Sequence, residues 1–399
     1  MSLKKEGIKG DIAIITSCSE NWGGSEELWG KSVPFLLAED YGVTVYKGVV
    51  NKDHRAFLKL AGLGVSLQPL EDYEPFMLRN FKKLMRKLDY LRGKESLFNF
   101  YTNPWIDRLI KLLTIDRPVF AIISQGINFD GLGYAYACKL LDIPYAIISQ
   151  KAVDFYWPAP DDRAIMTTIF EQAKASYFVS RHNRTLTEEQ FGKRLLNSHV
   201  IFNPQKIVDI QPYPDTNEGI RLACVGRLFL LDKGQDILIR ILSSEKWRTR
   251  PVSVTFVGSG VDEAALKDMA QLLNVNNISF AGHIQDMDIL WQDYHALILP
   301  SRSEGLPLSM VEAMAAGRIV IVSNAGGNTE ILDENVTGFS GYPNEASFED
   351  AMDRAWARLD DWEELGIEAA KQVAERIPVS PEKTFVEHLI GQMDNAHRH

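Results

Sequence analysis

Glu304 and Glu312 stand eight positions apart within Pro300-Ser301-Arg302-Ser303-Glu304-Gly305-Leu306-Pro307-Leu308-Ser309-Met310-Val311-Glu312-Ala313-Met314-Ala315-Ala316-Gly317. The run follows an apolar, strand-like stretch, His295–Leu299, and predicts a helix that starts near Pro307 and stops at Gly317. Proline suits a first helical position because its missing N–H would be unbonded there anyway, and glycine suits the residue just past a helix end. A helix N-terminus at the C-terminal edge of a sheet offers unpaired N–H groups and partial positive charge, the chemistry that holds phosphate. On one continuous helix at 3.6 residues per turn the two glutamates would occupy adjacent faces rather than one. The reading that fits is Glu304 in the loop before the helix and Glu312 inside it, reaching different parts of one ligand. The plainer alternative is a helix start with two solvated acids. A shared metal fits less well, because no histidine or third acid lies near them in sequence.

Two cations supply complementary chemistry. Arg227 and Lys233 lie in Gly226-Arg227-Leu228-Phe229-Leu230-Leu231-Asp232-Lys233-Gly234, after the strand-like Ile220–Val225. Fixed positive charges beside a second helix start would stabilise a diphosphate and the charge it gains on leaving; otherwise they are two surface cations. Gly23-Gly24 follows the first strand, where paired glycines let backbone approach a ligand closely or simply turn the chain. Val257-Gly258-Ser259-Gly260 is too short for a dinucleotide fingerprint and reads as a turn.

These loops must be positioned by alternating strands and helices. Strands are expected at Asp11–Ser17, Val43–Val49, Val119–Ser124, Pro144–Ser149, Ser176–Val179 and Val200–Phe202, then at Ile220–Val225, Val252–Val257, Ile278–Ala281, His295–Leu299 and Ile319–Val322. Continuous Val/Ile-rich runs are typical of parallel strands buried on both faces, and strand–helix alternation implies doubly wound α/β sheets. A boundary near Asn203-Pro204, followed by the polar Pro212–Gly219 stretch, divides the 399 residues into an N-terminal domain, 1–205, and a C-terminal domain, 206–380. A final helical segment, 381–399, is expected to pack back on the first domain.

With these residues in place, the chain resembles the family 4 retaining glycosyltransferases. The resemblance rests on Ser-x-x-Glu-Gly-x-Pro closed by Glu-Ala-Met-Ala-Ala-Gly, and on Gly-Arg-Leu followed by Lys-Gly. It is dense only from about Ile220 to Gly341. It implies the GT-B architecture, two Rossmann-like doubly wound domains facing a cleft, with the acceptor on the first domain and a nucleotide-sugar donor on the second. By resemblance, Glu312 binds the ribose hydroxyls and Glu304 lies against the donor sugar. The backbone of Gly305, Leu306, Pro307 and Leu308 holds the diphosphate, Arg227 and Lys233 contact its oxygens, and backbone near Ile284 meets the base. Gly23 and Gly24 also approach the donor phosphates, and the loop Ser323–Glu330 matches the family's Gly-Gly…Glu loop. Many members carry a histidine after the strand corresponding to Pro144–Ser149; here Gln150 or Lys151 holds that place. An amide can still hydrogen-bond a sugar hydroxyl. The implied reaction retains anomeric configuration, moves a sugar from a donor such as a UDP- or GDP-sugar to a hydroxyl of a saccharide or lipid-linked acceptor, and requires no cofactor and no metal, since no Asp-x-Asp motif suits one. Two other readings stand beside it, a nucleotide-sugar-binding protein with little turnover and a GT-B-type UDP-sugar epimerase.

A net charge of −10 argues against nucleic acid as a general partner. No run of about 18 apolar residues offers a membrane span, and the first residues lack a signal peptide's apolar core. Cys18, Cys138 and Cys224 read as reduced, buried thiols. A cytoplasmic protein is therefore expected. Met77–Lys94 carries net charge +6 and one apolar helical stripe. It reads as a core-packed helix with a solvated basic face or as a peripheral contact for anionic lipid at the inner face of a membrane.

Overall fold

In the computed structural model, which describes residues 8–18, 22–71, 80, 81, 84, 85, 88, 104–207, 209–284 and 289–396, two all-parallel sheets organise the chain. The first contains β1 (Gly10–Thr16), β2 (Tyr41–Lys47), β3 (Ser66–Pro69), β4 (Phe120–Gln125), β5 (Tyr145–Ser149), β6 (Ala175–Phe178) and β7 (Ser198–Val200), in the order β3-β2-β1-β4-β5-β6-β7. The second contains β8 (Ile220–Val225), β9 (Val252–Val257), β10 (Ile278–Gly282), β11 (Ala296–Leu299), β12 (Ile319–Ser323) and β13 (Gly338–Gly341), in the order β10-β9-β8-β11-β12-β13. Every residue of β4, β5, β11 and β12 is buried, as parallel strands covered by helices on both faces require.

The described helices of the first sheet are α1 (Gly24–Ala38), α2 (Arg55–Gly62), α3 (Pro104–Asp116), α4 (Leu132–Leu140), α5 (Pro160–Gln172) and α6 (Arg181–Phe191). Those of the second are α7 (Leu230–Lys233), α8 (Gln235–Leu242), α9 (Glu245–Thr249), α10 (Glu263–Leu272), α11 (Leu308–Ala315), α12 (Glu345–Trp356) and α13 (Trp362–Arg376). The last helix, α14 (Pro381–Ala396), packs against α1. Its Phe385, Val386, Leu389 and Met393 share one buried cluster with Trp29, Val33 and Leu36. The chain thus divides into one unit of Met1–Pro204 with Ser380–His399, and a second of Gln205–Val379. Both are Rossmann-like doubly wound domains.

Central strands fall within one or two residues of their sequence-based positions. The edge strands β3 and β13 were not expected: Ser-Leu-Gln-Pro and Gly-Phe-Ser-Gly lack the β-branched run, and they form because β2 and β12 offer them a ladder. The basic segment 77–94 lies outside the described residues except for Asn80, Phe81, Leu84, Met85 and Leu88, of which Phe81 and Leu84 are exposed. No helix among the described residues is long and apolar enough to cross a membrane.

Where α14 meets β6 and β7, the Tyr177 hydroxyl and His388 Nδ1 share a 2.7 Å hydrogen bond, and the His388 and His199 rings lie 4.2 Å apart. Burial holds both imidazoles below their ordinary value of 6.5, and for His199 the neighbouring His388 and Arg184 act in the same direction. The unfolded chain therefore takes up protons that the folded one resists. This contribution to stability is complete above about pH 6.5 and falls as pH drops from there towards the lowered folded values. Thermal melts from pH 7.5 to 5 should show a declining midpoint, with a shallower decline in His388→Gln; an equal slope in the two proteins would refute the assignment.

Candidate active site

In open α/β sheets, ligands bind beyond the carboxyl ends of strands where the strand order reverses. In the second unit that point lies between β8 and β11, which are adjacent and parallel. The loop leaving β8 carries Arg227 and Lys233; the loop leaving β11 carries Glu304 and leads into α11. Residues 71 positions apart therefore meet: Lys233 Nζ donates to Glu304 Oε1 at 2.6 Å. Their side chains are 17% and 7% exposed, so the pair is nearly desolvated.

The surrounding backbone shows how this pair is held. Lys233 is the last residue of the one-turn helix α7 rather than part of an open loop, and Gly234 ends that turn at φ +62°. A Cβ on Gly234 would lie 2.3 Å from the Pro300 carbonyl oxygen, so glycine is required by both conformation and space. The Asp232 carbonyl accepts from the N–H groups of Arg302 (2.7 Å) and Ser303 (3.1 Å), latching α7 to the loop that carries Glu304. Arg302 then forks onto both oxygens of Asp236 at 2.7 and 2.8 Å. Burial acts to raise the Asp236 pKa, but hydrogen bonds from Arg302 and Arg240 outweigh it and hold it below the ordinary value. Gln235 Nε2 donates to the Arg227 carbonyl at 2.7 Å, fixing the backbone of that loop, while the Arg227 side chain stays half-exposed, 3.5 Å from Asp232.

On the other side, Gly327 N–H donates to the Gly305 carbonyl at 2.7 Å, and a Cβ on Gly326 would lie 2.1 Å from the Glu304 carbonyl oxygen. The Ser323–Glu330 loop thus supports the Glu304-Gly305 backbone from behind. Gly305, Leu306 and Pro307 are buried and Leu308 is half-buried. Pro307 is the cap of α11 rather than its first residue: its φ of −65° suits a helix but its ψ of 124° is extended. No side chain of this cap bonds the first helical N–H groups. Glu312 is a buried residue inside α11, past its first turn. Val257-Gly258-Ser259-Gly260 is a turn that braces the loop after β8. The Ser259 carbonyl accepts from Leu228 N–H at 3.0 Å, and Asp262 Oδ2 accepts from Leu230 N–H at 2.7 Å. Ile284 is half-buried just beyond β10.

The remaining sequence candidates belong to the first unit. Gly23 caps α1, and its N–H donates to Glu26 Oε2 at 3.1 Å. Glu26 is fully buried and pairs with the equally buried Lys47 at 3.1 Å, while Lys47 also donates to the Cys18 carbonyl at 2.6 Å. One buried ion pair therefore pins the end of β1, the end of β2 and the start of α1. Sequence reasoning passed over Lys47; the only signal was a lone lysine in an apolar strand. Gln150 is buried and its amide is largely committed: Nε2 donates to the Ser25 carbonyl and to Asn203 Oδ1, and Oε1 accepts from Asn203 Nδ2 at 2.7 Å. Cys18 is half-buried, against the expectation of three buried thiols, because it sits beyond the end of β1 rather than within the sheet. Burial pushes Cys138 and Cys224 up to about 12, which removes both as nucleophiles at neutral pH.

Residues 208–372 match the family model of glycosyl transferases group 1. This stretch is similar to a group 1 glycosyl transferase domain. It contains the Lys233–Glu304 pair and α11. Among curated relatives, the chain is 26% identical over 215 residues to protein CapJ of Staphylococcus aureus, covering 50% of this chain and 54% of that one. It is 32% identical over 140 residues to the D-rhamnosyltransferase WbpZ of Pseudomonas aeruginosa, covering 34% and 35%. It is 27% identical over 202 residues to a GDP-mannose-dependent alpha-(1-6)-phosphatidylinositol monomannoside mannosyltransferase of Mycobacterium tuberculosis, covering 45% and 51%. The chain spans about half the length, or less, of the curated relatives it matches. Among solved structures, Anabaena HepE in complex with UDP and glucose superposes with a TM-score of 0.71 at 16% identity, covering 95% of this chain and 99% of that one. Sucrose-phosphate synthase from Thermosynechococcus elongatus gives 0.72 at 16%, covering 97% and 99%. The matched stretch thus lies in the second unit of a two-domain fold of the GT-B type.

Proposed function

We propose that the protein is a retaining glycosyltransferase of family 4 type, moving a sugar from a nucleotide-diphosphate donor to a hydroxyl of a saccharide or lipid-linked acceptor. The observation that carries this reading is the Lys233–Glu304 pair beside the N-terminus of α11, at the switch point of a group 1 domain. The relatives support it: one depends on GDP-mannose, and HepE was crystallised with UDP and UDP-glucose. In this reading Glu312 binds the ribose hydroxyls, Glu304 faces the donor sugar and orients Lys233, and backbone N–H groups from Gly305 and Leu306 to the start of α11 receive the diphosphate. Backbone at Ile284 meets the base.

Bond cleavage builds charge on the leaving diphosphate. Lys233, Arg227 and the helix N-terminus are preorganised to take it, so side chains supply the neutralisation that another enzyme would draw from a metal ion. The acceptor hydroxyl attacks on the face the diphosphate leaves, and the departing phosphate oxygen takes its proton. With its amide tied to Asn203 and Ser25, Gln150 acts by shaping the loop after β5 more than by binding sugar. A cytoplasmic location, with segment 77–94 against anionic lipid, completes the proposal.

A thermal-shift screen against UDP, GDP, ADP and their sugar conjugates tests it. A ligand at about 100 times its Kd stabilises the fold by about 2.7 kcal/mol. One nucleotide class should raise the midpoint, and Glu312→Ala should abolish the rise. No rise with any nucleotide, or an undiminished rise in Glu312→Ala, would overturn the donor-site assignment.

A further inference from the structure

We propose that the loop between β5 and α5 is a stacking platform for a pyranose ring of the acceptor, built from Phe155, Tyr156 and Trp157. The proposal rests on the glycosyltransferase reading and names an acceptor subsite within the first unit. Three consecutive aromatic side chains here are 50%, 42% and 62% exposed, a contiguous apolar patch of the kind that marks ligand-binding surfaces.

The loop beneath them is rigidly made. Buried Asn128 and Gln190 bond each other at 2.9 Å, and both side chains are used to hold this backbone. Gln190 Nε2 donates to the carbonyls of Val153 and Tyr156, each at 2.9 Å; Asn128 Nδ2 donates to the Tyr156 carbonyl at 3.3 Å, and its Oδ1 accepts from Val153 N–H at 3.1 Å. Trp157 Nε1 donates to the Asp154 carbonyl at 2.9 Å, so the only donor of the indole is satisfied inside the loop. Phe155 and Tyr156 meet edge to face at 5.0 Å. Two buried amides thus fix a surface whose exposed part is aromatic.

Chemistry selects the occupant. A pyranose presents a face of polarised C–H bonds to the negative face of an aromatic ring, while its hydroxyls remain at the rim in water. Tyrosine and tryptophan give such contact area at low entropic cost. Between Gln150 and Ala159 the charges are Lys151 and Asp154, which cancel, so the loop offers no electrostatic capture of anionic lipid. It also follows β5 at the carboxyl edge of the first sheet, where open α/β folds bind ligands, beside the buried Gln150.

Saturation-transfer NMR with methyl α-glucoside, α-mannoside and α-galactoside at millimolar concentration reads the platform directly. Saturation should reach ring C–H protons of at least one glycoside, and the Phe155→Ala/Trp157→Ala double variant should weaken that binding about tenfold. Its melting midpoint should stay unchanged, because both side chains are exposed. Nucleotide-induced thermal shifts should also be unaffected, so failure of the donor reading and failure of the platform are seen separately. No transfer to any of the three glycosides, or equal transfer in the double variant, would overturn the proposal. So would a double variant that keeps glycoside binding but loses co-sedimentation with phosphatidylcholine vesicles, which would mark a lipid-facing loop.

Discussion

Lys233→Ala should lower kcat by about 10²–10³, the usual cost of removing one preorganised charge-stabilising donor. The ammonium is placed before substrate arrives. Gly234 ends its helix, the Asp232 carbonyl latches α7 to the Glu304 loop, and Glu304 Oε1 holds Nζ at 2.6 Å. The expected loss lies in kcat more than KM, because the charge it meets grows as the bond breaks. The substitution has a second effect to separate. It leaves Glu304, only 7% exposed, without its cation, and an unpaired buried charge destabilises a fold. Lys233→Ala/Glu304→Gln removes both charges and should recover most of the lost melting temperature without recovering turnover. If the double variant regains activity together with stability, the lysine is structural. A single variant within about tenfold of the native kcat would refute the catalytic role.

Arg318→Ala should destabilise the second unit by about 4 kcal/mol, within the range for stripping a buried charged hydrogen-bonding group of its network. Arg318 is 1% exposed, and no ion pair to a carboxylate is found for it among the described residues. Its guanidinium donates instead to the carbonyls of Trp291, Tyr294, Gln211, Ala316, Gly317 and Pro212, and lies 5.2 Å over the Tyr213 ring. Burial pulls its pKa down to about 10, which still leaves it charged at neutral pH. One side chain therefore ties the chain entering the second unit to the C-terminal end of α11, where helix carbonyls favour a cation. For a unit of this size the midpoint should fall by roughly 8–16 °C. Arg318→Lys keeps the charge but has only three donors and no planar fork, and should fall part of the way. An alanine variant within about 1 kcal/mol of the native protein would show that water replaces these bonds freely.

The central strands were legible because a parallel strand buried on both faces must be apolar at every position, a pattern local to a few residues. Glu304, Glu312, Arg227 and Lys233 stood out as candidates in the sequence because they lie in or beside strand-to-helix loops; that Lys233 and Glu304 meet is what the structure adds. Edge strands β3 and β13 were not, since their pairing comes from the neighbouring strand and not from their own side chains. The Glu26–Lys47 pair, the Arg302–Asp236 fork and the Gln150–Asn203 amide pair each join residues 21 to 66 positions apart. Nothing in either segment of such a pair names the other. Sequence by itself determined which groups could do chemistry and that parallel sheets would carry them. Only the tertiary structure decided which charges meet, because strand order places β8 beside β11 and so brings Lys233 to Glu304, and because burial then turns an ordinary amide or lysine into a fastening.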